Sequence, residues 1–341
     1  MSGQSMAMVG KDGAETAGWL FLSDVLRAPP RAEGRLHRGL LVMELAWPLA
    51  SDVLLDWQDD AGRALSLFHD GGRGLILLWR EGARLTRHLL PGPLWAEGRL
   101  ARLHLGWDLA HDLWTLRLDD GTERVIASTC GTAPAGFPLA ALAALCAGQG
   151  VARRDPSVLW FGVTAGDRPP RRRPWIGRAT PVPTPAGDVP AALLKPGEWV
   201  LTRDAGPLRL QAVHHLRMPG RGSHAPVVLR APYFARGQDL LVSADQPVAL
   251  SGAEVEYLFD EDEVLVAAGA LADGRSALPD NRRATTACVS LDLGAPHLID
   301  CGGCLLMTAP GPALPPLRLL MDYEALPLMD LLRRMRPADA A

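Results

Sequence analysis

Short apolar runs that alternate with polar residues recur in both halves of the chain, and they limit its fold more than any other feature. Leu103 and Leu105 fall on one face of a strand, whereas Arg102 and His104 fall on the other. The run 113–118 repeats this alternation, and Gly, Asp and Pro separate the runs. Period-two runs joined by turns predict antiparallel sheets, so we expect a mainly β protein with few short helices.

The first half is predicted to form an antiparallel β-sandwich over residues 19–164. One helix is expected at Leu139–Cys146, which is rich in Ala and Leu and is followed by Gly148 and Gly150. Residues 102–121, with one strand that ends in Trp-Asp and a second that ends in Asp-Gly, resemble a laminin-G or concanavalin-like jelly roll. The predicted strands are 38–47, 52–57, 64–68, 74–79, 99–107 and 113–118.

The composition excludes several classes of protein. A chain of 341 residues is long enough for two domains, and its net charge of -3 gives no general attraction for nucleic acid. No apolar run approaches the roughly 18–20 residues of a membrane helix, and the first residues lack the apolar core of a secretory signal peptide. We therefore expect no nucleic-acid partner and no transmembrane segment. A cytoplasmic location and export without a classical signal peptide are both open.

The domain organisation is predicted from changes in composition. Residues 165–175 contain three prolines and four arginines, which suit neither a helix nor a central strand, so they predict a linker. Residues 1–18 are predicted to be disordered, residues 176–310 to form a second β domain and residues 311–341 to form a tail. A short amphipathic helix, interrupted near its start by Pro327, is expected over 322–335 in the tail. Its apolar stripe comprises Leu326, Met329, Leu332 and Met335.

The second half is again rich in predicted strands. Pro196-Gly197 predicts a type II turn just before one of them. Five cysteines, an odd number in a long chain, argue against a disulfide framework. The predicted strands are 199–204, 226–231, 239–244, 255–259, 263–271 and 288–293.

Residues 179–250 resemble the opening of a Hint domain, the autoprocessing fold shared by inteins and hedgehog proteins, in its alphaproteobacterial form. The block Lys195–Val200 fits the family pattern, with Glu198 in place of the usual Asp, and residues 255–271 also match. The resemblance implies a Hint-type β fold for the second domain, joined to the sandwich by the linker.

The resemblance also implies where the chemistry of self-cleavage should lie. Hint domains attack the carbonyl before a Cys or Ser with that side chain, and a His in a Thr/Ser-x-x-His block donates a proton to the departing nitrogen. Here Trp175 occupies the nucleophile position, Ser243 the Thr/Ser position and Gln246 the histidine position. An amide does not exchange protons near neutral pH, so both catalytic groups are missing.

Other residues were considered as substitutes. Thr180 could replace the nucleophile and His297 the proton donor, although structural roles are more common for both types of residue. Cys301 and Cys304 form a single CxxC, which is a weak metal signal on its own and also fits a β-turn between two buried thiols. No cofactor is predicted.

Three hypotheses follow. The first is a protein that has lost self-cleavage and acts as a binding or assembly module, with a protein or a glycan as its partner. The second is an active self-cleaving protein. The third is a carbohydrate-binding protein in which tryptophans of the N-terminal sandwich stack on sugar rings.

Overall fold

The computed structural model describes residues 16–25, 33–96, 98–121, 124–309 and 313–335, with backbone alone for 332–335. The chain forms two compact units, Met1–Arg171 and Arg172–Ala341, and the division falls within the segment 165–175. Most of the segment predicted to be disordered, residues 1–15, lies outside the described residues. Residues 16–18 begin the described structure, and Thr16 there is buried.

The first unit contains thirteen described strands and one helix. The helix, α1, covers Leu139–Cys146, the bounds expected from the sequence. The strands are β1 (Phe21–Leu22), β2 (Arg35–Leu36), β3 (Arg38–Ala46), β4 (Val53–Gln58), β5 (Arg63–Asp70), β6 (Gly74–Glu81), β7 (Arg84–Pro91), β8 (Leu100–Asp108), β9 (Leu113–Asp119), β10 (Val125–Gly131), β11 (Phe137–Pro138), β12 (Val151–Arg154) and β13 (Val158–Thr164).

Two antiparallel sheets form the body of this unit, so the predicted sandwich is confirmed. One sheet has the order β1-β13-β3-β8-β9-β10 and the other β12-β4-β5-β6-β7, and β2 pairs with β11 separately. Leu41 and Leu103 from the first sheet share a buried core with Leu67 and Leu77 from the second. Since alternate residues of a strand face opposite sides, each strand contributes every second residue to this core.

The second unit contains shorter strands, which group into a six-stranded sheet, a four-stranded sheet and two hairpins. The large sheet has the order β19-β25-β14-β21-β20-β24 and the small one β23-β22-β27-β26. The strands are β14 (Ile176–Gly177), β15 (Pro181–Thr184), β16 (Gly187–Pro190), β17 (Trp199–Thr202), β18 (Gly206–Arg209), β19 (Ala212–Pro219), β20 (Val227–Leu229), β21 (Leu240–Val242), β22 (Pro247–Ser251), β23 (Glu263–Ala267), β24 (Ala277–Pro279), β25 (Thr285–Asp292), β26 (Leu298–Cys301) and β27 (Cys304–Met307).

The turn predicted at Pro196-Gly197 is confirmed. Gly197 has a φ of 88°, a value that type II turns require at this position and that glycine adopts most easily. The N–H of Glu198 donates to the carbonyl of Lys195 and closes the turn at 3.2 Å. The turn directs the chain into the β17–β18 hairpin.

The strand predicted at 255–259 is wrong, because this segment is a helix, α2 (Ala253–Phe259). Its aromatic and β-branched residues suggested a strand. Val255, Leu258 and Phe259, however, follow the three- and four-residue spacing of a helix, and all three contribute to the core of the unit. Asp260 ends the helix in the left-handed conformation, with a φ of 55°.

The tail forms the expected helix, α3 (Asp322–Met335), which continues through Pro327. Its predicted apolar face is partly wrong, because Leu326 is 66% exposed. The helix instead packs on the core through Ala325, Leu328 and Met329, a set with the three- and four-residue spacing of one helix face. The side chains of Leu332 and Met335 lie outside the described residues.

No described helix combines the length and the apolar character that crossing a membrane would require.

Candidate functional site

The peptide that joins Pro174 to Trp175 lies at the start of the central strand of the large sheet. Strand β14 pairs with two neighbours, and its Ile176 lies opposite Val242 of β21 on one side and Val289 of β25 on the other. The residues that follow Val242 and Val289 in sequence therefore flank Trp175, because all three strands run antiparallel. These flanking residues are Ser243 and Ser290.

Both serine hydroxyls bind the Pro174–Trp175 peptide. The N–H of Trp175 donates to Oγ of Ser243 at 3.2 Å, and Oγ of Ser290 donates to the carbonyl oxygen of Pro174 at 2.8 Å. The N–H of Ser243 also donates to the carbonyl of Trp175 at 3.0 Å. All of these groups are buried, so the peptide is fixed at its nitrogen and at its oxygen in a place that excludes water.

Trp175 is the residue that the sequence analysis predicts at the nucleophile position of a Hint domain. Its indole is buried, with 4% of the residue exposed. An indole carries one N–H, which donates a hydrogen bond, and it offers no thiol or hydroxyl that could attack a carbonyl. At this position the side chain fills space and has no means of acyl transfer.

Gln246 is buried as well, and its amide is directed to main-chain carbonyls. Its Nε2 donates to the carbonyl of Met307 on β27 at 2.7 Å and to its own neighbour Pro247 at 3.1 Å. The N–H of Gln246 donates to the carbonyl of Ser243 at 3.0 Å and closes the turn between β21 and β22. Gln246 thus connects this turn to the small sheet. None of its described hydrogen bonds reaches the Pro174–Trp175 peptide.

An ion pair restrains the segment that enters the site. Nη1 of Arg172 lies 3.1 Å from each carboxylate oxygen of Asp245, a residue of the same turn as Ser243 and Gln246. The same nitrogen donates to the carbonyl of Ser223 at 3.3 Å. The pair is partly exposed, so its energetic contribution is small, but it fixes the chain two residues before the peptide.

The two proposed substitutes lie in other surroundings. Thr180 is buried in a turn, where its N–H donates to the carbonyl of Gly177 at 3.1 Å. Nδ1 of His297 lies 2.8 Å from Oδ2 of Asp204, and the N–H of His297 donates to Oγ1 of Thr308 at 3.0 Å. The described contacts of His297 thus connect the β17–β18 turn to the small sheet, and none of them reaches Trp175.

Cys301 and Cys304 face each other at the end of the β26–β27 hairpin, and the predicted turn between two buried thiols is confirmed. Gly302 and Gly303 form the turn with φ values of 68° and 101°. Burial raises the pKa of Cys304 to about 12 and that of Cys301 well above its usual range, so both thiols stay protonated near neutral pH. Within the described part of the chain, no group of three or more His, Cys, Asp or Glu residues is placed to hold a metal ion.

Ser290 and Arg172 were not identified from the sequence. Ser290 lies in a buried strand and carries no motif, and only the pairing of β14 with β25 shows what it faces. Arg172 is one of several arginines in the linker, and the sequence does not distinguish it from its neighbours. In contrast, the sequence did single out Trp175 and Ser243, which the structure brings into contact.

The fold and this site define the class of the second unit. Residues 177–305 match the model of the Hint domain, and the chain therefore contains a Hint domain in its C-terminal half. The match begins two residues after Trp175. No curated protein sequence matches the chain.

Several solved structures are similar to the chain at low identity. The CBM40 domain of the Ruminococcus gnavus IT-sialidase, bound to alpha2,3 sialyllactose, has 13% identity and a TM-score of 0.27, and the alignment covers 38% of this chain and 77% of that one. The mouse laminin alpha1 chain, domains LG4-5, has 10% identity and a TM-score of 0.25, with coverage of 87% and 77%. The LG1-3 region of the laminin alpha2 chain has 8% identity and a TM-score of 0.23, with coverage of 86% and 56%.

Proposed function

We propose that the Hint domain of this chain does not cleave its own backbone and that the chain acts as a binding or assembly module. The observation that carries the proposal is the buried indole of Trp175, which lies where the attacking side chain of an autoprocessing domain belongs. Without a nucleophile at this position the peptide bond before it has no intramolecular route to an ester or thioester.

The surrounding groups support the same conclusion. An acyl shift also requires a proton for the departing nitrogen, but Ser243 accepts a hydrogen bond from the N–H of Trp175. The amide of Gln246 is bound to the carbonyl of Met307 and has no proton to give near neutral pH. The attacking atom and the proton donor are thus both absent from their family positions.

The domain keeps the hydrogen bonds that hold the Pro174–Trp175 peptide. Ser290 donates to the carbonyl oxygen of Pro174, the atom on which negative charge would develop during an attack. In the absence of a nucleophile, the same hydrogen bond only orders the Pro174–Trp175 peptide. The sandwich and the Hint domain then stay in one polypeptide, as a binding or assembly role requires.

Intact-mass spectrometry of the full chain, incubated with and without dithiothreitol, tests the proposal. We expect a single uncut mass under both conditions. Fragments that separate between Pro174 and Trp175 would overturn the proposal and establish the alternative, an active self-cleaving protein.

A restored variant serves as the positive control for this experiment. Trp175→Cys combined with Gln246→His returns a thiol and an imidazole to the two positions, next to a peptide that Ser243 and Ser290 already hold. We expect thiol-dependent fragments from this variant. The matched variant Trp175→Ala with Gln246→His lacks the thiol and should stay uncut. Cleavage of the matched variant would show that another residue attacks.

A further inference from the structure

We infer that Trp95, in the first unit, is a platform on which a sugar ring of an oligosaccharide stacks. Trp95 is 76% exposed, whereas Trp57, Trp79 and Trp107 of the same unit are buried in its core. Isolated exposed apolar residues are common on protein surfaces, so exposure alone does not define a site. The way in which the chain holds Trp95, together with its neighbours, provides the further evidence. The inference does not depend on the proposed loss of cleavage.

The backbone around Trp95 is anchored on both sides. Leu94 packs against the core and Ala96 is buried within it, so Trp95 points outward between two inward residues. Before this segment, the N–H of Gly92 donates to the carbonyl of Arg73 at 2.9 Å. A backbone held in this way needs little ordering when a ligand binds to the indole that it carries, which favours a preorganised binding platform.

A second aromatic pair lies at the same end of the sandwich. The rings of Trp47 and His69 meet edge to face, with centroids 6.4 Å apart, and both residues are partly exposed. The N–H of Trp47 donates to the carbonyl of Arg99 at 2.8 Å, and Arg99 directly precedes β8 in the connection that carries Trp95. The strand pairs Ala46–Leu100 and Gly74–Pro91 place these connections at one end of the unit.

Polar side chains accompany the aromatic ones. Asp52, Arg73 and Arg99 are exposed at this end, and the carbonyl of Asp52 accepts a hydrogen bond from the N–H of His69 at 2.9 Å. A sugar ring presents an apolar C–H face that stacks on an indole and a rim of hydroxyls that both donate and accept hydrogen bonds. An exposed indole with carboxylate and guanidinium groups at the same end of the unit offers partners for both parts of such a ligand. The geometry therefore favours an oligosaccharide over a purely apolar partner.

Binding of the full chain to immobilised oligosaccharides tests the inference. The panel contains chains that end in β-linked glucose, galactose or xylose, together with sialyllactose, so that neutral and acidic sugars are distinguished. We expect the unaltered protein to bind at least one of them. Trp95→Ala should weaken that binding about tenfold or more, because the variant loses the apolar surface on which the sugar ring stacks.

Trp199→Ala is the matched control, since Trp199 is also exposed, at 46%, but lies in the other unit. This variant should bind the sugar as the unaltered protein does. Equal loss in both variants, full binding by a folded Trp95→Ala variant or no binding to any member of the panel would each overturn the inference. If the partner at Trp95 were a protein, no member of the panel would bind. The mass experiment on cleavage is unaffected by any of these outcomes.

Discussion

Two sets of buried polar side chains, one in each unit, make different kinds of contact. In the sandwich, Glu44 is fully buried and accepts a hydrogen bond from Nε of Arg102 at 3.0 Å. Nε2 of His104 lies 2.8 Å from Oδ2 of Asp119 on the next strand. In both pairs, the side chain that faces a buried carboxylate comes from a neighbouring strand.

In the Hint domain, buried polar side chains bind the main chain of another segment. Ser243 and Ser290 both contact the Pro174–Trp175 peptide, and Gln246 donates to the carbonyl of Met307. Pairs of side chains stabilise a sheet wherever they occur. Two hydroxyls that converge on one peptide, in contrast, hold that peptide in place. The comparison thus separates side chains that join neighbouring strands from side chains that hold one particular peptide.

The largest effect is expected for Trp175→Ala. If the indole fills the nucleophile position only by packing, its loss leaves a cavity and should lower the free energy of unfolding of the second unit by about 3–5 kcal/mol. Calorimetry or denaturant unfolding measures this change. Trp199→Ala, with a half-exposed indole, is the control and should cost about 1 kcal/mol or less. A small effect at Trp175 would contradict the packing role.

A somewhat smaller effect is expected when the first unit is acidified. His88 is buried against the edge of Trp114, its Nδ1 has no hydrogen-bond partner among the described residues, and burial lowers the pKa of His88 to about 4. Its usual pKa is near 6.5, so between pH 6.5 and pH 4 the unfolded chain binds a proton that the folded chain does not. The free energy of unfolding should fall by about 3 kcal/mol as the pH is lowered across this window. Below pH 4, His88 should contribute no further loss.

Unfolding of the first unit, followed against pH, measures that change. His88→Phe keeps an aromatic ring next to Trp114 and removes the titrating group, so it should abolish this part of the pH dependence. The same slope in both proteins would show that His88 is not its source and that the unit tolerates a buried unpaired imidazole for another reason.

The smallest effect is expected for Ser290→Ala. The change leaves the buried carbonyl of Pro174 without the donor 2.8 Å away and should destabilise the second unit by about 1–3 kcal/mol. Ser128→Ala, on an exposed serine of the other unit, provides the comparison and should have almost no effect. Equal and negligible effects at both serines would indicate that the Ser290 hydroxyl does not hold the peptide.

The sequence predicted best the strands whose apolar and polar residues alternate clearly. The alternation in 99–107 and 113–118 identified β8 and β9 because each strand has one buried face. It did not reveal β7, where exposed residues such as Arg84 and Arg87 interrupt the pattern at the edge of a sheet. In 255–259 a short apolar run fitted two periods, and only packing against the core decided in favour of the helix.

The candidate site was predicted only in part, for a related reason. Trp175, Ser243 and Gln246 follow from spacing along the chain, which a sequence contains directly. Ser290 and the direction of the Gln246 amide depend on which strands become neighbours, and many pairings are compatible with the same alternation.

By itself, the sequence determined the mainly β character of both units and the Hint-type strand and turn pattern, because these features depend on local periods and fixed spacings. Only the tertiary structure decided that two distant hydroxyls bind one peptide, that Gln246 faces away from it and that Trp95 remains exposed while most tryptophans of its unit are buried. These facts depend on contacts between residues far apart in sequence, which form only when the sheets assemble around their cores.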